Sequence, residues 1–316
     1  MHTPTAEPQK AQGFRHEALL YDGQRAFVEF ASAFVADAVE LGEPTLVAVR
    51  EHKLAALRER FAGSDLVAFA DMGEMGANPA RIIPAWREFA DAHGDRPLRG
   101  IGEPVWPGRS AAELVEAQRH ESLLNLAFAG APAFWLVCPY DTGTLEPQVI
   151  DEARRSHPLL QAGDGRGDSA AYQGVAALAN PFDDPLPEPP AETVARLPFG
   201  PGQLDDVRTF VAGRAAAAGL DRDRSSDLVL AVNEVATNSL LYGGAQGVVR
   251  AWPDGDVLIC EVRDGGVIHD PLVGRHTPGL AQHGGRGLWM ANQLCDLVQL
   301  RSSDAGTVVR VHMRRA

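Results

Sequence analysis

The chain has 316 residues, 45% of them hydrophobic, with a formal net charge of −13 and a sequence pI near 5.2. That length suits two domains of ordinary size, and that apolar content supplies real cores, which excludes a disordered chain. The acidic balance argues against a nucleic-acid-binding surface, since phosphate neutralisation needs clustered Lys and Arg, but it leaves a basic protein partner open.

The first dozen residues are polar, carry Pro4 and Pro8 and lack an apolar signal-peptide core. No run approaches 18 apolar residues, so neither a signal peptide nor a membrane span is expected. Cys138, Cys260 and Cys295 are far apart, in apolar settings, without metal-binding spacing. They read as buried reduced thiols of a cytoplasmic protein.

Along the first half, strand-like and helix-like text alternates. Residues 18–21 form a short apolar run. Residues 24–41 place Phe27, Phe30, Ala31, Phe34 and Ala38 at helical spacing. Strands are expected at 45–49, 66–69, 99–102 and 134–138, and helices at 54–61, 81–92, 111–129 and 146–155. Such alternation argues for a parallel sheet with helices on both faces. Residues 163–168 read as a flexible polar stretch in which the Arg-Gly-Asp triplet is chance. Residues 181–190 carry five prolines and several acids, text that continues neither a helix nor a central strand. They read as an extended linker, giving domains at 14–178 and 193–316 with the linker at 179–192.

The second half begins with a helix over 204–220 that turns Val207, Phe210 and Val211 to a core. An apolar-periodic segment over 228–241 follows, holding Asn-Glu-Val-Ala-Thr-Asn at 233–238. Glu234 and Asn238 are four apart, so a helix puts them on one face, one turn from each other. There a carboxamide oxygen can ligand Mg²⁺ and a carboxylate can orient water or accept a proton. Asn233 and Thr237 lie on a neighbouring face, supporting the site or simply exposed. Residues 257–262 are an apolar run of strand length ending in Arg263-Asp264-Gly265-Gly266. An irregular stretch leads to His283-Gly284-Gly285-Arg286-Gly287-Leu288, opening a helix. Asp304-Ala305-Gly306-Thr307 leads into a last strand.

Helix with Glu and Asn, strand ending in Asp-x-Gly, glycine turn into helix and Gly-Thr strand, in that order, resemble the GHKL ATPase superfamily. Within it they resemble the anti-sigma-factor serine kinases. The resemblance covers the last third of the chain and implies a Bergerat two-layer α/β sandwich with a mixed sheet, binding ATP and Mg²⁺. Asp264 is then the acceptor for the adenine amine, and Gly266 permits close approach to the base. Gly285, Arg286, Gly287 and Leu288 open the phosphate-side helix. Thr307 lies near the adenine, Asn238 ligands Mg²⁺ and Glu234 is the general base. Residues 267–283 become a short, flexible lid, with Ile268 where the superfamily often has a further glycine.

The first domain resembles the MEDS sensory domain, a RecA/KaiC-like fold. The matching residues are His16 with Leu19-Leu20-Tyr21, Gly42-Glu43-Pro44, Gly102-Glu103-Pro104, Glu121 with Asn125, Cys138-Pro139-Tyr140-Asp141 and His157-Pro158. A phosphate-binding version would carry G-x-x-x-x-G-K-[ST] after the strand. Here residues 45–49 run into Arg50-Glu51-His52-Lys53 with no glycine, so a sensor or docking unit is expected rather than a second ATPase. Of three functions weighed, the first is the one expected. The first is a serine/threonine protein kinase that binds a sigma factor and phosphorylates a STAS-type antagonist, acting in stress-responsive transcription, with a homodimer as an option. The second is a histidine kinase, for which His120-Glu121 is the helical candidate acceptor. The third is a module that captures a sigma factor using ATP only to fix its shape.

Overall fold

The computed structural model describes residues 13–163, 165–174, 176, 184–279 and 285–315. The described residues form two units, one within Met1–Gly76 and Ala85–Leu178, the other within Ala77–Pro84 and Ala179–Ala316.

The first unit is built on β1 (Phe14–Tyr21), β2 (Thr45–Val49), β3 (Val67–Asp71), β4 (Leu98–Gly102), β5 (Phe134–Asp141), β6 (Leu159–Ala162) and β7 (Gly165–Asp168). They form one sheet in the order β3-β2-β4-β5-β1-β6-β7, parallel except for the β6–β7 pair. The connecting helices are α1 (Gly23–Leu41), α2 (Glu51–Phe61), the single turn α3 (Met72–Met75), α4 (Ile82–His93), α5 (Ala111–Ala127) and α6 (Pro147–Ser156). Helix α1 buries Phe27, Ala31, Phe34, Val35 and Ala38, the stripe its spacing announces, and ends on Gly42 at φ 71°, where a side chain would be strained. Helix α5 starts on a capping box: Ser110 Oγ accepts from Glu113 N, and Glu113 Oε2 from Ser110 N.

Two expectations change here. Strand β1 starts four residues before the apolar run, because His16 and Glu17 are buried within it. Residues 165–168 are not a flexible stretch but the edge strand β7, whose Arg166 donates to Glu17 Oε1 at 2.8 Å and covers the Trp135 ring. After β2, Arg50 leads straight into α2. Lys53 is buried there, bonded to Glu103 and donating to the Tyr21 hydroxyl at 2.7 Å.

The second unit packs α7 (Leu204–Ala218), α8 (Arg222–Tyr242) and α9 (Arg286–Leu294) with a sheet of β8 (Ala195–Phe199), β9 (Gly247–Asp254), β10 (Val257–Asp264), β11 (Leu297–Ser303) and β12 (Gly306–Arg314), ordered β11-β12-β10-β9-β8. Every pairing in it is antiparallel, not mixed as expected: β9–β10 and β11–β12 are hairpins, α7 and α8 separate β8 from β9, and the crossover through α9 lets β12 slot between β10 and β11. Alternation along the strands sends Val249, Ala251, Leu258, Cys260, Val262, Val309 and Val311 to the core shared with Val207, Val211, Leu228, Val232 and Val235 of the helices.

The other sheet face is charged. Glu261 is fully buried there and accepts from Arg250, Arg263 and Arg310. Residues 184–190 run over these groups: Arg310 donates to Pro187 O at 2.9 Å, Glu188 accepts from Arg250 and Arg263, and Leu186 is buried. The described part of the proline-rich linker is thus a pinned strap; its residues 179–183 lie outside the described residues. Residues 77–84 also belong to this unit. Arg81 closes the C-terminal end of α9, donating to the carbonyls of Asn292, Gln293 and Cys295 at 2.8 Å each. Asn78 Nδ2 adds a bond of 3.0 Å to Asn292 O.

Candidate nucleotide-binding site

Helix α8 is capped by Asp221, whose side chain accepts from Arg224 N at 2.9 Å. Its apolar stripe faces the sheet, which leaves Glu234 and Asn238 half-buried at the edge of that stripe. Helix α9 lies against α8, and Gly287 makes the approach possible. A Cβ there would stand 3.1 Å from Asn238 Nδ2 and 3.2 Å from Glu234 Oε2. The start of α9 therefore rests on the two polar side chains of α8. Gly285, at φ 74°, supplies the left-handed turn into α9.

Asp264 stands at the end of β10, opposite Thr307 of β12. Its Oδ2 accepts from Ser239 Oγ at 2.5 Å and its Oδ1 from Gly266 N at 2.8 Å. Each carboxylate oxygen carries two lone pairs, so acceptor capacity remains for a ligand. Thr307 Oγ1 donates to Gly266 O at 2.8 Å, which sends the Ser302 hydroxyl hydrogen to Thr307 and lets Ser302 Oγ accept from Ile268 N. The Asp-x-Gly turn is thus held from both sides by hydroxyl groups.

A cavity of about 350 Å³ opens between these elements. Asn238, Asp264, Gly266, Gly285, Leu288 and Thr307 line it, with Val235, Ile268, Val273 and Val309 as apolar wall and Tyr242 at its rim. Glu234 and Gly287 meet beside it. Arg286 is exposed, its Nη2 3.5 Å from Gly279 O, and does not line the cavity. Thr237 Oγ1 donates to the Asn233 carbonyl, and Asn233 Oδ1 accepts from Arg208, so both side chains serve local structure. The lid expected at 267–283 is firm in its first half. Ile268 and Val273 pack on the core, and Leu272 and Arg275 are buried. Residues 280–284, His283 and Gly284 among them, lie outside the described residues. Ser239 and Ser302, which position Asp264 and the turn after it, were not singled out from the sequence. A serine in a helix or a strand gives no local sign of a partner brought in from another element.

Residues 15–158 match the MEDS family, the MEthanogen/methylotroph, DcmR Sensory domain, and residues 197–313 match the histidine kinase-like ATPase domain family. The chain carries both domains. The second match implies ATP as the ligand, and the cavity just described lies wholly within the matched residues. Among solved structures, the RsbU and RsbW domains of Rv1364c from Mycobacterium tuberculosis align over 38% of this chain and 32% of that one, at 22% identity and a TM-score of 0.29. No curated protein matches the chain. Among the described residues, no helix is long and apolar enough to cross a membrane.

The cavity fits the cofactor that the family implies. Its walls are apolar enough for a base, and one carboxylate with spare lone pairs stands at the sheet end. At Gly266 a Cβ would meet Tyr242 O at 2.8 Å, so glycine there lets the turn after β10 pack on the end of α8 at the cavity wall.

Proposed function

We propose that this chain is an ATP-dependent serine/threonine protein kinase of the anti-sigma type, in which the MEDS domain governs a kinase that holds a sigma factor and phosphorylates a small STAS-type antagonist. The observation that carries the reading is the packing of Gly287 against Glu234 and Asn238, beside a cavity that Asn238 and Asp264 both line. That packing supports reading the start of α9 as the phosphate side of the pocket and Asp264 as its base side.

In this reading Asp264 accepts from the adenine amine, while Gly266 and Thr307 keep that edge of the pocket in place. The N–H groups that open α9, from Gly285 to Leu288, face the phosphates, and Asn238 offers its amide oxygen to Mg²⁺. ATP supplies the phosphoryl group. Glu234 orients the incoming hydroxyl and takes its proton. Arg286, exposed and outside the lining, adds charge to the approach rather than a contact.

The histidine-kinase alternative loses ground on one observation: His120 is fully buried in α5, where no phosphoryl donor reaches it. Non-catalytic sigma-factor capture is separated by experiment. The full-length protein is incubated with labelled MgATP and candidate STAS-type antagonists, beside a Glu234→Gln variant. Acid-stable phosphate on a serine or threonine of the antagonist, lost in Glu234→Gln, is the expected result. Sigma-factor binding with no transfer to any antagonist would favour the capture module, and acid-labile phosphate on His120 would restore the histidine kinase.

A further inference from the structure

Four residues of the MEDS domain that play no part in nucleotide binding meet in its interior. His16 comes from β1, Cys138 from the neighbouring strand β5, Glu121 from α5, and His157 from the residue that ends α6. All four are essentially inaccessible to solvent, and their ligand atoms lie within 4.8 Å of one another. Glu121 Oε2 stands 3.1 Å from His16 Nε2, 3.3 Å from His157 Nε2 and 3.3 Å from Cys138 Sγ, and Cys138 Sγ stands 3.4 Å from His16 Nε2.

The hydrogen bonds around the cluster fix which ring nitrogens face inward. Asn125 Nδ2 donates to Ser156 O at 2.7 Å, so its Oδ1 is the atom 3.1 Å from His16 Nδ1, and His16 Nδ1 must carry a hydrogen. His157 Nδ1 lies 2.8 Å from Ala153 O, a carbonyl that only accepts, so it carries a hydrogen too. In their neutral forms both rings therefore aim an Nε2 lone pair at the same carboxylate oxygen. The Cys138 thiol and the buried Tyr140 hydroxyl are the neighbouring donors to Glu121, and His157 Nε2 has no hydrogen-bond partner. A single imidazolium would supply one proton and leave the other ring's lone pair facing an anion. Two inward imidazole lone pairs, a carboxylate oxygen and a thiol sulfur converging on one buried point describe a cation's shell.

We propose that this cluster is a closed, tetrahedral site for a divalent transition metal of the Zn²⁺ class, with His16 Nε2, Glu121 Oε2, Cys138 Sγ and His157 Nε2 as ligands. Bond lengths of about 2.0–2.3 Å in a tetrahedron put neighbouring ligand atoms about 3.3–3.6 Å apart, close to the four separations above. A thiolate and a carboxylate balance the charge of a divalent ion, so the filled site is neutral, as complete burial requires. Imidazole, thiolate and carboxylate together suit zinc rather than Mg²⁺ or Ca²⁺. The bonds from His16 to Asn125 and from His157 to Ala153 are the outer contacts that hold metal-ligating rings in one tautomer. With four protein ligands the site keeps no open position. Its work is to tie β1, α5, β5 and the end of α6 together, not to activate water.

The test uses tag-free full-length protein. Metal content is measured by elemental analysis after purification, and the metal-stripped protein is then titrated with Co²⁺ and followed by visible absorption. One metal per chain is expected, with the intense bands of four-coordinate Co²⁺ and a thiolate-to-metal charge-transfer band. Cys138→Ser should lose that band and weaken binding at least about tenfold, while Asn125→Ala should keep the band and bind about 10–100-fold more weakly. Folded wild-type protein that takes up no Co²⁺, or takes it up without a thiolate band, as exposed histidines would, overturns the proposal. So does a Cys138→Ser variant with an unchanged spectrum. If that variant does not fold, the wild-type spectrum still decides.

Discussion

Replacing Asp264 by Asn separates its proposed ligand role from its role in holding the fold. In the folded protein Oδ1 accepts from Gly266 N and Oδ2 from Ser239 Oγ. An Asn side chain keeps its oxygen toward Gly266 N and turns its NH₂ toward Ser239. Ser239 can then accept, because its own hydrogen has a second acceptor, Val235 O, at 3.3 Å. The network is rebuilt with a neutral bond in place of a charged one, at a cost of about 1 kcal/mol. That corresponds to a melting decrease of about 2–4 °C for a unit of this size. The adenine amine fares worse, meeting a donor where a charged acceptor stood. Losing a charged hydrogen bond is worth about 2–3 kcal/mol, or roughly 30–150-fold in affinity. Calorimetric titration of the full-length variant with ATP and Mg²⁺, beside its melting curve, reads both quantities. An Asp264→Asn protein that melts normally and binds ATP within about threefold of wild type, a difference below 1 kcal/mol, would show that Asp264 only ties the turn to α8.

Gly287→Ala pushes a methyl group to within 3.1 Å of Asn238 and 3.2 Å of Glu234; ATP affinity should fall about tenfold, a displacement worth roughly 1.4 kcal/mol, and unchanged binding would mean that α9 does not need this approach. Arg81→Ala removes three bonds to the end of α9. It should cost about 1.5–3 kcal/mol, read by thermal melting and by faster amide exchange around residues 291–295, and a wild-type melting curve would refute the capping role. Burial alone would raise the carboxyl of Glu261, but Arg263 and Arg310, with Arg250, hold it below its ordinary value. A depressed folded value stabilises above the unfolded carboxylate range of about 4.3, and that contribution is lost as pH falls through the folded value. Acid unfolding of wild type should therefore steepen below about pH 4, while Glu261→Gln should be less stable at neutral pH and lack that component; parallel acid curves would contradict the linkage.

Periodicity made the long elements legible. The stripes of α1 and α8 and the apolar runs of β2 and β10 are visible in the residues themselves, and so were Glu234, Asn238, Asp264 and the glycines between which the cavity lies. What stayed hidden depends on partners far away in the chain. Nothing near Gly165–Asp168 announces a strand, since its backbone is satisfied by β6 and its arginine by Glu17, 149 residues distant. His16 and Glu17 looked too polar for a strand interior because α5, Trp135 and Arg166 satisfy them only after folding. Strands β8, β9 and β11 carry arginine, tryptophan or glutamine on the face that the strap covers, which blurs the alternation a solvated sheet would show. Ser239 and Ser302 are defined by the turn they hold rather than by their neighbours in sequence.

The strap over the charged sheet face bears on any dissection of this molecule. A shortened polypeptide beginning at 193 would shed Glu188, Pro187 and Asp184, uncover Arg250, Arg263 and Arg310, and also forgo Arg81 at the foot of α9. Weak nucleotide binding by such a piece would reflect a wounded scaffold, so the ATPase domain is best studied with its upstream prolines, and with residues 77–84, still attached.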